Sequence, residues 1–112
     1  MPAKTVMYRK KKIQVDELTT RQYRAIRETL KKLDITPEDT IYDIVNKNME
    51  LACEVFSALY GESTDYYLDA PASETVRLAV ALLEANGAAL KNEINHLLEV
   101  VNKVLLQQKK QN

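Results

Sequence analysis

The sequence predicts a mainly α-helical fold: a small four-helix bundle-like domain with a short N-terminal β segment. Three observations lead there. Apolar residues recur at intervals of three and four through most of the chain. Helix-start and helix-stop residues bracket those stripes. Only two glycines and three prolines occur in 112 residues, too few for the many tight turns of a sandwich or barrel. The length suits one domain, 1–112.

Residues 1–16 form the β segment or arm. Thr5-Val6-Met7-Tyr8 and Ile13-Gln14-Val15 are rich in β-branched and aromatic types around a lysine run, which reads as one irregular strand or a small hairpin. A lone hairpin is marginal in water and needs helices or a partner to lean on. The first helix, 19–34, opens with Thr19 and Gln22 in a capping-box pattern. Tyr23, Ile26, Leu30 and Leu33 then share one face.

Thr36-Pro37-Glu38-Asp39 combines a cap, a proline at the first helical position and two acids near the positive helix end. It predicts a second helix over 37–60, with Ile41, Ile44, Val45, Asn48, Met49, Ala52, Phe56 and Leu59 on one stripe and Gly61 as its stop. Glu62 to Ala72 reads as an ordered loop whose Tyr66, Tyr67 and Leu68 pack down. Asp69 or Ser73 caps a third helix, 72–86, ended by Asn86-Gly87. A fourth, 88–108, carries Leu90, Ile94, Leu97, Leu98, Val101 and Leu105 near heptad spacing.

Composition narrows function. The single cysteine, Cys53, cannot form an internal disulfide; it reads as a small core hydrophobe, with Glu54 beside it opposing thiolate formation. That suits a reducing compartment such as the cytosol. No apolar run approaches the ~20 residues that span a bilayer, and the N-terminus lacks the order of a signal peptide. Glu93 and His96 match the Glu-x-x-His spacing of di-iron bundles, yet the chain has one histidine, so neither that site nor the usual zinc arrangements can be completed. Ser57, Ser63, Ser73 and Cys53 have no base partner other than His96, and no glycine-rich phosphate loop exists. The expectation is a non-enzymatic chain with no catalytic residues, no metal and no cofactor.

Zero net charge hides a division. Residues 1–35 hold ten Lys/Arg against four Asp/Glu, a balance of +6; residues 36–112 hold six against twelve, a balance of −6. Oppositely charged halves attract within a subunit or between neighbouring ones. The basic set Arg9, Lys10, Lys11, Lys12, Arg21, Arg24 and Arg27 supports the alternative reading, a small nucleic-acid-associated regulatory protein. Against it, the rest of the chain is acidic, and aromatics are not interleaved as in single-strand binders. The stripes are core first, but Val100, Val104 and Leu106 widen the last helix beyond its seam. That points to a homo-oligomer or a groove for a partner helix. The pattern places such a groove along Ile44, Met49, Phe56 and Leu59, with Tyr66 and Tyr67 at its rim.

Residues 5–61 also carry a family resemblance. A β segment leads into Leu-Thr-Thr-Arg-Gln-Tyr-Arg-Ala-Ile (18–26) and a helix ending Lys-Lys-Leu-Asp (31–34). An acid-started helix follows, ending Val-Phe-Ser-Ala-Leu-Tyr-Gly (55–61). This order resembles the tail assembly chaperones of long-tailed bacteriophages. The resemblance implies a protein of the host cytoplasm that coats the helix-rich tape-measure protein and recruits tail-tube subunits. Oppositely charged ends would favour head-to-tail stacking of such a protein, open unless its rotation closes a ring.

Overall fold

The computed structural model describes residues 4–87. Within them the chain is mainly helical behind a short N-terminal sheet. Strands β1 (Lys4–Tyr8) and β2 (Lys11–Val15) pair antiparallel, Val6 facing Ile13 and Tyr8 facing Lys11. Alternation sends Val6, Tyr8 and Val15 into the core and Thr5, Met7, Lys12 and Gln14 outward, the period-two consequence of the pleat. The hairpin leans on a helix, as a two-stranded sheet must.

Helix α1 (Thr20–Leu30) begins with the expected box: Gln22 N–H donates to Thr19 Oγ1 at 3.2 Å, and Thr19 N–H donates to Gln22 Oε1 at 2.9 Å. It ends at Leu30, short of the expected 34, and the chain turns at Lys31 and Lys32.

The helix expected over 37–60 is two helices, α2 (Ile41–Lys47) and α3 (Met49–Tyr60). Thr36 and Pro37 do not start it. Thr36 N–H donates to Asp39 Oδ2 at 2.8 Å and Asp39 N–H to Thr36 O at 3.1 Å, closing a separate turn. Lys47 bonds the same carboxylate at 2.8 Å and, with the Thr36 N–H, holds it below the usual carboxylate range. Thr40 is the cap that α2 uses, boxed with Asp43. Asn48 then leaves the helical region at φ −123°, ψ 31° and separates the two helices.

Gly61 ends α3 at φ 84°, ψ −168°, backbone that only glycine adopts without strain. The expected loop contains a short helix, α4 (Thr64–Leu68), capped by Ser63. Helix α5 (Ala72–Ala85) follows Pro71; neither Asp69 nor Ser73 caps it. The expected helix 88–108, with Glu93 and His96, lies outside the described residues.

Helix α3 packs against α1 and α4, and α5 packs against β1, α2 and α3. Tyr8, Phe56 and Tyr67 meet at the centre with ring centroids 5.5 to 6.2 Å apart. The buried Tyr8 hydroxyl donates to Tyr67 O at 3.0 Å and shares a 2.9 Å hydrogen bond with Thr75 Oγ1, so its one polar atom is satisfied. Cys53 is buried beside them; burial, then the nearby Glu50, pushes its thiol pKa up. Among the described residues no buried side-chain nitrogen or oxygen lacks a partner.

Two buried asparagines set the position of α1. Asn86, just past α5, receives the Leu18 N–H on Oδ1 at 2.7 Å and donates to Asp16 O at 3.3 Å and Leu82 O at 3.0 Å. Asn48, just past α2, receives the Asp34 N–H at 2.8 Å and donates to Asp34 O at 3.0 Å and Ile44 O at 2.7 Å. Each carboxamide closes its own helix through the carbonyl four residues back and grips a distant backbone segment with the rest. One grips the entry to α1 and the other its exit. With α1 stopped at Leu30, Asp34 reaches Asn48.

Candidate partner-binding cleft

The helix held between those two asparagines roofs an apolar cleft of about 60 Å³. Helix α1 contributes Ile26 and Leu30, flanked by Leu18 and Leu33; α2 contributes Ile44 and Val45. Helix α3 supplies Ala52, Val55 and Phe56, and α5 supplies Ala79, Leu82 and Leu83. The local sequence explains the gap. Ala52 and Ala79 are the small residues on the two helices beneath α1, and the break at Asn48 lets α2 run apart from α3 in place of continuing its stripe.

The cleft offers almost nothing to a polar ligand. Asn48 is the one polar side chain in its lining, and its amide is occupied by Asp34 and Ile44 backbone. A hydroxyl or charge placed here would be desolvated without a partner, costing roughly 1–3 kcal/mol or more. The volume lies well below the ~150 Å³ that admits benzene in an apolar cavity. The complement is the end of one aliphatic side chain.

Of the six residues expected to form a groove, Ile44 and Phe56 line this cleft. Phe56 is 1% exposed, so it forms the floor. Met49 and Leu59 are partly buried against the core and are not in the lining. Tyr67 is 2% exposed and sits in the aromatic core, not at a rim. Its hydroxyl donates to Gly61 O at 2.7 Å, and burial first, then Tyr66, Glu62 and Tyr8, raise its pKa to about 12. Tyr66 stacks edge-on against Tyr67 at 5.0 Å and turns toward the hairpin tip. Leu18, Leu30, Leu33 and Leu83 were not placed in the groove from the sequence, because they come from separate segments that only the tertiary fold brings together. Ile41 and Tyr42, at the start of α2, are 43% and 60% exposed; Ile41 lies one turn before Ile44 on the same stripe.

The basic residues divide between two elements. Arg9 through Lys12 occupy the hairpin tip and the start of β2, all exposed. Arg21, Arg24 and Arg27, three apart, run along the exposed outer face of α1, and no ion pair holds them among the described residues. No group of three His, Cys, Asp or Glu able to hold a metal occurs among the described residues. No helix there is long and apolar enough to cross a membrane. Comparison with protein-family models, with curated proteins and with solved structures gives no match.

Proposed function

We propose that this chain is a non-enzymatic protein-interaction module, and that it works as a phage tail assembly chaperone in the host cytoplasm. In this reading it coats the tape-measure protein and recruits tail-tube subunits. The apolar cleft under α1 is the observation that supports an interaction role: apolar in all its lining but Asn48, sized for one aliphatic side chain, and with the exposed Ile41 one turn before its Ile44. An amphipathic helix presents such side chains at every third or fourth position, and a groove between helices is a recurrent way of receiving them. The tape-measure assignment rests on the order of elements and side chains in residues 5–61.

Co-expression of the tagged chain with tape-measure and tube candidates from a long-tailed phage tests this. Recovery of the long helical chain, with loss of recovery in a cleft-filled variant, is the expected result. Purification of the tagged chain free of both proteins would overturn the assignment. Retained binding in the cleft-filled variant would move the site elsewhere.

The basic residues allow a second reading, a nucleic-acid-associated regulatory protein. It is favoured by the arginine row on α1, which no ion pair holds among the described residues, and predicts DNA binding that weakens steeply with salt.

A further inference from the structure

The cleft leaves the hairpin tip without a role. The loop joining β1 to β2 has two residues, Arg9 and Lys10, at φ 49° and 68°. Two-residue hairpin loops demand this left-handed backbone, and Asn or Gly normally supplies it because larger side chains are strained there. Arg9 has a structural return for its strain. Its backbone N–H donates to Glu74 Oε1 at 3.2 Å, its Nη1 donates to Tyr66 O at 2.9 Å, and its guanidinium lies 4.4 Å from the Tyr66 ring centre.

Lys10 has none. It is exposed, and among the described residues it makes no side-chain hydrogen bond, ion pair or ring contact. Lys12, opposite Met7 on the outer face of the hairpin, is equally unengaged. Beneath them Val6, Tyr8 and Val15 are buried and β1 packs on α5, so the hairpin is anchored on the core. A cation kept on strained backbone without an internal partner, on an anchored hairpin, is the arrangement that a partner could use at little ordering cost.

We propose that Lys10 and Lys12, at the tip and outer face of the hairpin, bind an acidic segment of a partner polypeptide. Three features favour a polypeptide over a nucleic acid. Arg9, the one arginine at the tip, has its Nη1 committed to Tyr66 O and one face to the Tyr66 ring, so a phosphate would meet only its remaining N–H groups. The Glu74 carboxylate accepts from the Arg9 N–H and so interrupts the cationic surface at the tip; separately spaced carboxylates can pass it by, whereas a continuous phosphate backbone would run against it. Lysine point charges suffice for separate carboxylates, whereas a nucleic-acid footprint needs a broad cationic surface. The inference is independent of the cleft, and filling the cleft leaves it untouched.

The test is fluorescence anisotropy of the full chain with two probes, a labelled peptide of alternating glutamate and alanine and a labelled DNA duplex. The parent should bind the peptide more tightly than the duplex, and added salt should weaken that binding. Lys10→Asn and Lys12→Gln should each weaken peptide binding roughly 1.5- to 5-fold, the range for one exposed ion pair, and more when combined. Lys10→Asn should leave Tm unchanged or raise it, because asparagine tolerates this backbone. Absence of peptide binding, undiminished binding by the double variant, tighter binding to DNA, or a lowered Tm for Lys10→Asn would each overturn the proposal.

Discussion

Replacing Asn86 with alanine removes the device that holds the entry to α1, and its cost can be worked from three hydrogen bonds. The Leu18 N–H, part-buried and 2.7 Å from Oδ1, would lose its acceptor, at about 1–2 kcal/mol for a stranded donor. The Leu82 and Asp16 carbonyls, at 3.0 and 3.3 Å, keep other routes to a partner and add about 0.5 kcal/mol between them. The expected loss is about 2 kcal/mol, a sizeable share of the 5–15 kcal/mol typical of a domain. Urea unfolding followed by circular dichroism should show a lower midpoint with an unchanged slope. Asn86→Asp retains the acceptor for Leu18 but places a charge against two carbonyl oxygens, so it should be no better than alanine. Asn46→Ala, on the exposed side of α2, is the control and should stay within about 0.5 kcal/mol of the parent. A loss below about 0.5 kcal/mol for Asn86→Ala would refute the claim that this carboxamide fixes α1.

Alkaline pH should unfold the protein through Tyr67, which is buried, and Tyr60, which is partly buried. Burial is the first cause that raises Tyr60 and Tyr67 from 10.0 to about 12. A pKa raised in the folded state means stability fully present below pH 10 and lost as pH rises toward 12; tyrosinate absorbance of these two should therefore appear together with loss of helicity, and ionisation of all six tyrosines in a fully helical protein near pH 10 would contradict it. Cys53 should resist thiol reagents in the native state, its labelling rate rising with urea in step with unfolding; rapid native labelling would place the thiol at the surface. Tyr8→Phe should cost about 1–2 kcal/mol by stranding the Thr75 hydroxyl and Tyr67 carbonyl, measured by the same urea unfolding, and a neutral result would mean that water replaces the lost hydroxyl.

What the sequence made legible was local. Thr19 with Gln22 announced the first helix, Gly61 and Asn86 announced two stops, and the flanks of the lysine run announced the hairpin. Misplacement came where a local signal was real but served another purpose. Thr36, Pro37 and Asp39 carry helix-start chemistry, yet Asp39 spends its carboxylate on Thr36 N–H and Lys47, and Thr40 with Asp43 starts the helix. Asn48 stood in an apolar stripe where it had no reason to be. That misfit was the available sign of the helix break, and its explanation needed Asp34, fourteen residues away in sequence. Phe56 was placed in a groove by its position on the helical stripe and Tyr67 at the rim of that groove; the hairpin brings Tyr8 against both and makes them core. The cleft itself was not legible, because its lining comes from four helices and from Leu18, Leu33 and Asn48 outside them.

The account rests on the cleft receiving a partner's side chain, and Ala52→Leu tests that most directly. Three added carbons would gain up to about 2 kcal/mol on burial at roughly 0.8 kcal/mol each, offset by about 1 kcal/mol or more of overpacking in a cleft of about 60 Å³. The variant should therefore match or slightly exceed the parent in urea stability. In pulldowns with the co-expressed tape-measure chain it should lose at least about tenfold in recovery, the equivalent of 1.4 kcal/mol. A variant as stable as the parent that recovers the partner undiminished would show the cleft to be a packing gap and nothing more.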